Sequence, residues 1–199
     1  DTVLVHPGVY RERVAPAFGG EKDKPITYAA TERGKTIIKG SEVFAAKWER
    51  VDADSNVFRA PLDAALFAGD NPFQRSISIA GQDSSAVVRP AQGELQRVLG
   101  EIFVAGVPYE QFNNIEAVRK QAQRWMVPAE GGAIVAHFPA DVDPSRTLVE
   151  ITVRDRIFAP QRRGLGHIHI KGFVFEHCAN QGPFPKNGAV SVRSGHHWV

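Results

Sequence analysis

The sequence predicts a mainly-β solenoid of short strands, interrupted once by an inserted module that carries the only helix. Three observations lead there. Gly and Pro, at 18 and 13 of 199 residues, are in modest excess, as a turn-rich chain requires. Short apolar runs separated by turn signals fill the first 45 residues. A weak internal repeat then favours a solenoid over a sandwich or barrel: Ile38-Lys39-Gly40 recurs as Ile170-Lys171-Gly172, and Gly166-His167-Ile168-His169-Ile170 recurs loosely as Gly195-His196-His197-Trp198-Val199.

The first coils are read from Val3-Leu4-Val5, Val9 to Val14, Ile26-Thr27-Tyr28-Ala29 and Thr36-Ile37-Ile38, with turns at Pro7-Gly8, Gly19-Gly20, Lys24-Pro25, Gly34 and Gly40. With a coil of roughly 30 residues, the two Ile-Lys-Gly copies stand about 100 residues too far apart. Residues 46–147 differ in texture and supply that excess. The expected organisation is therefore coils at 1–45, an insert at 46–147 and coils resuming at 148–199. Within the insert, Asn114 is placed to cap a helix whose apolar face is Ile115, Val118, Ala122 and Trp125, with Pro128 as its stop. Strands are expected at 56–59, 76–79, 85–88, 101–104 and 133–138, forming a small antiparallel sheet around that helix. The run Leu148-Val149-Glu150-Ile151-Thr152-Val153 resumes the solenoid with a period of two.

Composition narrows the function. The 24 basic and 22 acidic residues are interspersed, with no basic run of the kind that tracks a phosphate backbone, so nucleic acid is not an expected partner. No apolar run is long enough to span a bilayer, and no membrane partner is expected. The single Cys178 excludes an internal disulfide and a multi-cysteine zinc site but not secretion, and its expected state is a buried, inert thiol. The sole methionine is Met126, the chain opens on Asp1-Thr2-Val3-Leu4-Val5, and it closes on an apolar Trp198-Val199. Both ends look cut, and the chain is expected to be a piece of a longer protein.

The run Asp1-Thr2-Val3-Leu4-Val5-His6-Pro7-Gly8-Val9-Tyr10-Arg11-Glu12 resembles the first coil of right-handed parallel β-helix proteins of the pectate-lyase-like type. So do Lys24 to Ala30 and Thr36 to Ser41. The combination with Trp48-Glu49-Arg50-Val51, the Gly69-to-Phe73 element, Gly100 to Gly106, Asp143-Pro144 through Arg154, and Ile170 to Phe173 is similar to β-xylosidases of glycoside hydrolase family 120. The resemblance implies a right-handed parallel β-helix with a β-sandwich-like insert beside a catalytic groove. It also implies a paired catalytic carboxylate set on later coils, beyond Val199. Such enzymes carry a substrate-lining tryptophan after the position of Phe73, whereas this chain reads Gln74-Arg75-Ser76-Ile77.

Within this stretch no catalytic pair is expected. Glu150 and Glu176, about one coil apart, are the one notable carboxylate pair, and their expected state is outward-facing and solvated. His167 and His169 flank Ile168 and would share a strand face, with His197 one coil along. That set could ligate zinc, but the expected reading is outward-facing polar positions, or neutral imidazoles stacked between coils. Arg154, Arg156, Arg163, Lys171 and Arg193 could serve a lyase, yet no acidic cluster suits calcium. The expected sugar contacts are His177, Asn180 and Phe184, on an irregular loop that leaves the coil, followed by Asn71 and Phe73 in the insert. Trp125 and Trp198 are expected in the core.

The sequence therefore points to the N-terminal part of a carbohydrate-active enzyme, a glycoside hydrolase acting on an oligo- or polysaccharide. Its alternatives are a β-helix polysaccharide lyase or a non-catalytic glycan-binding surface protein. No cofactor or metal is expected. A secreted or periplasmic location is expected, and an open coil end could pair copies into a homo-oligomer.

Overall fold

A computed structural model describes residues 1–75, 97–179 and 188–191. In chain order the strands begin with β1 (Thr2–Val5), β2 (Gly8–Tyr10), β3 (Ile26–Ala30), β4 (Thr36–Lys39) and β5 (Ser41–Val43). Then come β6 (Glu49–Arg50), β7 (Val57–Pro61), β8 (Ile102–Val104), β9 (Val107–Pro108) and β10 (Glu110–Gln111). Helix α1 (Ile115–Arg119) follows, then β11 (Arg124–Met126), β12 (Ala133–His137), β13 (Val149–Thr152), β14 (Ile168–Lys171) and β15 (Phe173–Glu176). The described chain is thus mostly β, with several sheets, one short α-helix and no closed barrel.

It divides into two compact units. The first comprises residues 1–41, 154–178 and 186–199; the second comprises 42–153 and 179–185. In the first unit the chain alternates between two parallel sheets, with orders β1-β3-β14 and β15-β4-β2. Thr2, Thr27 and His169 align across one sheet. Tyr10, Ile38 and Phe175 align across the other. Strands β3 and β4 are the middle members of both, so their backbone donors and acceptors are taken on two sides. Isolated parallel bridges join Val14 to Phe158 and Phe158 to Val190. Phe158, Leu165 and Ile168 form the buried cluster of this unit, with Val14, Tyr28, Ile170 and Phe175 packed on it. The Tyr28 and Phe158 rings meet edge to face at 5.3 Å.

This register corrects the repeat read from sequence. Ile170-Lys171 pairs with Tyr28-Ala29, and Ile38-Lys39 pairs with Phe175-Glu176. The two Ile-Lys-Gly copies therefore end strands of different sheets and do not stack on each other. Both copies end a strand ahead of a glycine, Gly40 and Gly172, and a shared strand-end pattern says nothing about register. The His167–His169 face is also corrected. His167 has a positive φ of 52° and precedes β14, so it is not one period away from His169 on a strand.

The second unit holds a five-stranded sheet, β10-β11-β12-β7-β6, and a four-stranded one, β5-β13-β8-β9. Its core is aromatic. Phe44, Trp48, Phe67, Phe73, Tyr109, Trp125 and Phe138 are buried with Ile102, Ile134, Val149 and Ile151. Trp48 packs edge to face on Phe44 at 5.6 Å and on Phe138 at 5.0 Å. A smaller cluster of Val57, Val118, Met126 and Val135 seats α1.

The helix is shorter than its apolar spacing predicts. Asn114 caps it as expected, its side chain accepting from the Ala117 N–H at 2.8 Å. It stops at Arg119, and Gln123 then takes a left-handed φ of 67°. Trp125 lies beyond that break, on β11, paired with Ala136. Its expected burial holds at 1% exposure, reached through a strand, and its indole N–H donates to the Tyr109 carbonyl at 3.1 Å. Pro128 sits in the turn after β11, its carbonyl accepting from the Gly131 N–H. Expected strands at 76–79 and 85–88 lie outside the described residues.

Trp125→Ala should lower unfolding stability by about 3–5 kcal/mol, because it empties the centre of the aromatic core. Asn114→Ala should cost about 1 kcal/mol, since it frees one turn of a five-residue helix. Urea midpoints of the two variants against the parent chain check that ranking.

Candidate functional site

In the first unit, polar side chains converge where β4 and β15 end. The parallel register sets Glu176 beside Lys39, and their side chains form an ion pair at 3.2 Å. Lys39 is only 8% exposed, so most of its stem is packed away from water. Just beyond this pair, the Ser41 hydroxyl lies 3.4 Å from His177 Nδ1. Arg11 donates to the Ser41 hydroxyl at 3.1 Å and to its carbonyl at 3.2 Å. Gly40 makes this approach feasible: a Cβ there would lie 2.7 Å from the His177 carbonyl oxygen and 2.9 Å from the Cys178 Cα. The Gly40 N–H donates to the Glu176 carbonyl, and the Gly40 carbonyl accepts from the Arg154 N–H, both at 3.0 Å. Asp155 and Arg156 pair at 3.2 Å in the same unit.

His177 is therefore held by its neighbours, half-buried and in a left-handed conformation with φ 56°. That strained backbone takes the chain out of β15. Asn180 and Phe184, the other predicted contacts of this loop, lie outside the described residues. Cys178 is in no disulfide and is half-buried where full burial was expected.

Asn71 and Phe73 lie in the second unit. The Asn71 side chain accepts from the Phe73 N–H at 2.9 Å, which folds the turn. Phe73 is 2% exposed, with its ring among Phe67 and Trp125 and against Gly100, where a Cβ would meet it at 2.6 Å. Phe73 is packed into the core, and Asn71 shapes the turn that carries it. The expectation for Glu150 is also corrected. It is completely buried in β13, opposite Phe103, and not solvated. Glu176 is engaged with Lys39 in the other unit.

The second unit also contains a cavity that sequence reading missed. Arg97 to Glu101, Pro108, Tyr109, Gln111 and Trp125 enclose about 190 Å³. Burial pushes the Glu101 carboxyl above its ordinary value. Burial, with the Asp141 charge adding to it, raises the Tyr109 hydroxyl to about 12. No sequence signal marks this group, because residues 97–101 and 108–111 meet only through the sheet. Among the described residues no cluster of three or more potential ligands could hold a metal, and no helix is long and apolar enough to cross a membrane.

With this geometry in view, two solved structures are similar. XylC, solved in complex with xylose, matches 96% of this chain at 29% identity and a TM-score of 0.74. The fold is glycoside hydrolase-like. A chain described as a glycoside hydrolase matches 89% of it at 12% identity and a TM-score of 0.51, a likeness of fold alone. The chain spans about a third of XylC, 32% of its length, and 43% of the second chain. No protein-family model matches the chain, and no curated protein does.

Gly40→Ala should destabilise the first unit by about 1–3 kcal/mol, since the new methyl meets backbone that cannot swing aside. Thermal unfolding monitored by near-ultraviolet circular dichroism measures it. Glu101 gives a pH signature. The unfolded carboxyl ionises near its ordinary value of about 4.5, before the folded one does. Stability present below that pH should therefore decline as pH rises through the elevated folded value. Glu101→Gln should abolish the decline and exceed the parent in Tm at about pH 7, with the gap closing towards about pH 4. Parallel slopes for the two proteins would refute this.

Proposed function

We propose that this chain is the N-terminal part of a carbohydrate-active glycoside hydrolase that cleaves a neutral oligo- or polysaccharide. The observation that carries the reading is the match of nearly the whole chain, 96%, to XylC at 29% identity. That protein was solved with xylose, which favours a pentose-type sugar for the longer protein. The alternation of the chain between two parallel sheets supports a parallel β-helix as the body. The parallel bridges from Val14 to Phe158 and from Phe158 to Val190 are consistent with that reading. Residues 46–147 are the inserted module of this reading.

The hydrolytic carboxylates are assigned to coils beyond Val199, since the one carboxylate pair the sequence singles out, Glu150 and Glu176, is not poised as a pair among the described residues. Glu150 is buried in a strand and Glu176 is tied to Lys39. A retaining enzyme needs its two carboxyl groups about 5 Å apart and an inverting one about 6.5–9.5 Å apart. The part assigned to the present residues is scaffold and groove wall, with His177, Asn180 and Phe184 as the first sugar contacts. Asn71 contributes by shaping the turn that seats Phe73.

The test compares this 199-residue chain with a form extended through the downstream reading frame. The extended protein should release reducing sugar from xylo-oligosaccharides without ultraviolet-absorbing unsaturated ends, and this chain alone should release none. Unsaturated products would make the protein a lyase. Glycan retention without turnover by the extended form would make it a binding protein. Hydrolysis by this chain alone would overturn the downstream carboxylates.

A further inference from the structure

The two buried tryptophans of the second unit differ in one respect. Trp125 donates its indole N–H to the Tyr109 carbonyl. Trp48 is 8% exposed, and its Nε1, also buried, has no hydrogen-bond partner among the described residues. A buried indole N–H is nearly always bonded, so an open one calls for an acceptor from elsewhere. Trp48 lines an open cavity of about 610 Å³ walled by residues 43–48 and 144–149. For scale, a closed apolar cavity of roughly 150 Å³ holds one benzene ring.

The walls are fixed in advance. The Phe44 N–H donates to the Val149 carbonyl at 2.8 Å, which ties the two segments together. The Asp143 carboxylate accepts from the Ser145 N–H at 2.9 Å, and the Asp143 carbonyl accepts from the Thr147 N–H at 3.0 Å, so the turn leading into the second wall is already formed. The Trp48 ring is held edge to face against Phe44 and Phe138. Val43 and Leu148 leave exposed apolar surface in the lining. Lys47 and Arg146 bring two cations to it, and no acidic side chain lines it. Glu49 pairs with Lys47 at 2.8 Å and Asp143 with Arg146 at 3.7 Å, and all four side chains are exposed. Exposed pairs of this kind are weak, and an ammonium with three donors and a guanidinium with five keep donors for a ligand.

We propose that this cavity binds a small amphipathic carboxylate, with one apolar ring and one carboxyl group. A carboxylate only accepts, so it answers the Trp48 N–H and draws on Lys47 and Arg146, and such charge-assisted bonds are the stronger kind. The ring covers the apolar surface that Val43 and Leu148 leave in water. A cation would meet Lys47 and Arg146 as like charges, and a neutral ligand would forgo their attraction. The site lies wholly within the second unit and uses no catalytic group, so it stands whether or not the longer protein hydrolyses glycans.

Phenylacetate is the probe, with its neutral isostere phenylacetamide and the cation phenethylamine as counterparts. In ¹H–¹⁵N spectra of the 199-residue chain, phenylacetate should shift the Trp48 indole cross-peak saturably and leave that of Trp125 in place. Phenylacetamide should bind about fivefold more weakly, and phenethylamine more weakly still. Trp48→Phe keeps an aromatic ring, removes the donor and should weaken phenylacetate binding about tenfold. Arg146→Gln, at an exposed side chain, should weaken phenylacetate binding about threefold and leave phenylacetamide binding unchanged. The proposal is overturned if phenylacetate leaves the Trp48 indole unshifted, if either counterpart binds as tightly, or if Arg146→Gln affects phenylacetate and phenylacetamide alike. The footprint on the parent chain and the Arg146 variant decide the matter even if Trp48→Phe does not fold.

Discussion

Parallel strand pairing is the constraint on which the first unit rests. A parallel ladder cannot be closed by a tight hairpin, so each strand must find its partner across a longer stretch of chain. Here β3 and β4 answer that demand twice, with β1 and β2 on one side and β14 and β15 on the other. The last pair arrives only after the chain has passed through residues 42–153. The polar knot at the end of β4 is a consequence. Lys39 meets Glu176, and Ser41 approaches His177, because the register of β4 with β15 brings them together.

The second unit solves a different problem. Its sheets are short and chiefly antiparallel, and strands of two or three residues cannot hold themselves by backbone bonds alone. Edge-to-face aromatic contacts compensate, with Trp48, Phe138, Tyr109, Phe73 and Trp125 linked through one cluster. A core of large rigid rings leaves gaps at its margin. The Glu101–Gln111 cavity is one of them, edged by Trp125 and lined by polar groups that the core itself does not use.

Strand existence was legible wherever β-branched or aromatic residues alternated between turn signals, as at Ile26–Ala30, Thr36–Lys39 and Ala133–His137. The Asn114 cap was legible because capping is local chemistry. The helix end was not. Ala122 and Trp125 fit a helical face by spacing, but pairing of Trp125 with Ala136 outweighed five residues of marginal helix propensity. Of the site, His177 was found as the point where the chain leaves its strand, while its approach to Ser41 was hidden. Asn71 and Phe73 were singled out as sugar contacts, while the packing of the Phe73 ring on Phe67 and Trp125 was not legible in sequence.

By itself the sequence determined what depends on near neighbours: the β-rich class, the turn positions, the helix cap and the absence of a charge pattern suited to nucleic acid. Tertiary structure decided what depends on residues far apart in the chain. Register is the clearest case, because the two Ile-Lys-Gly copies are alike in sequence and yet pair with different partners in different sheets. Burial is the other. Glu150 and Lys39 are ordinary charged residues in sequence, and only their strand neighbours and the surrounding core remove them from water. Backbone bonds and desolvation act through space, so they assign these residues their chemistry only once the chain has folded.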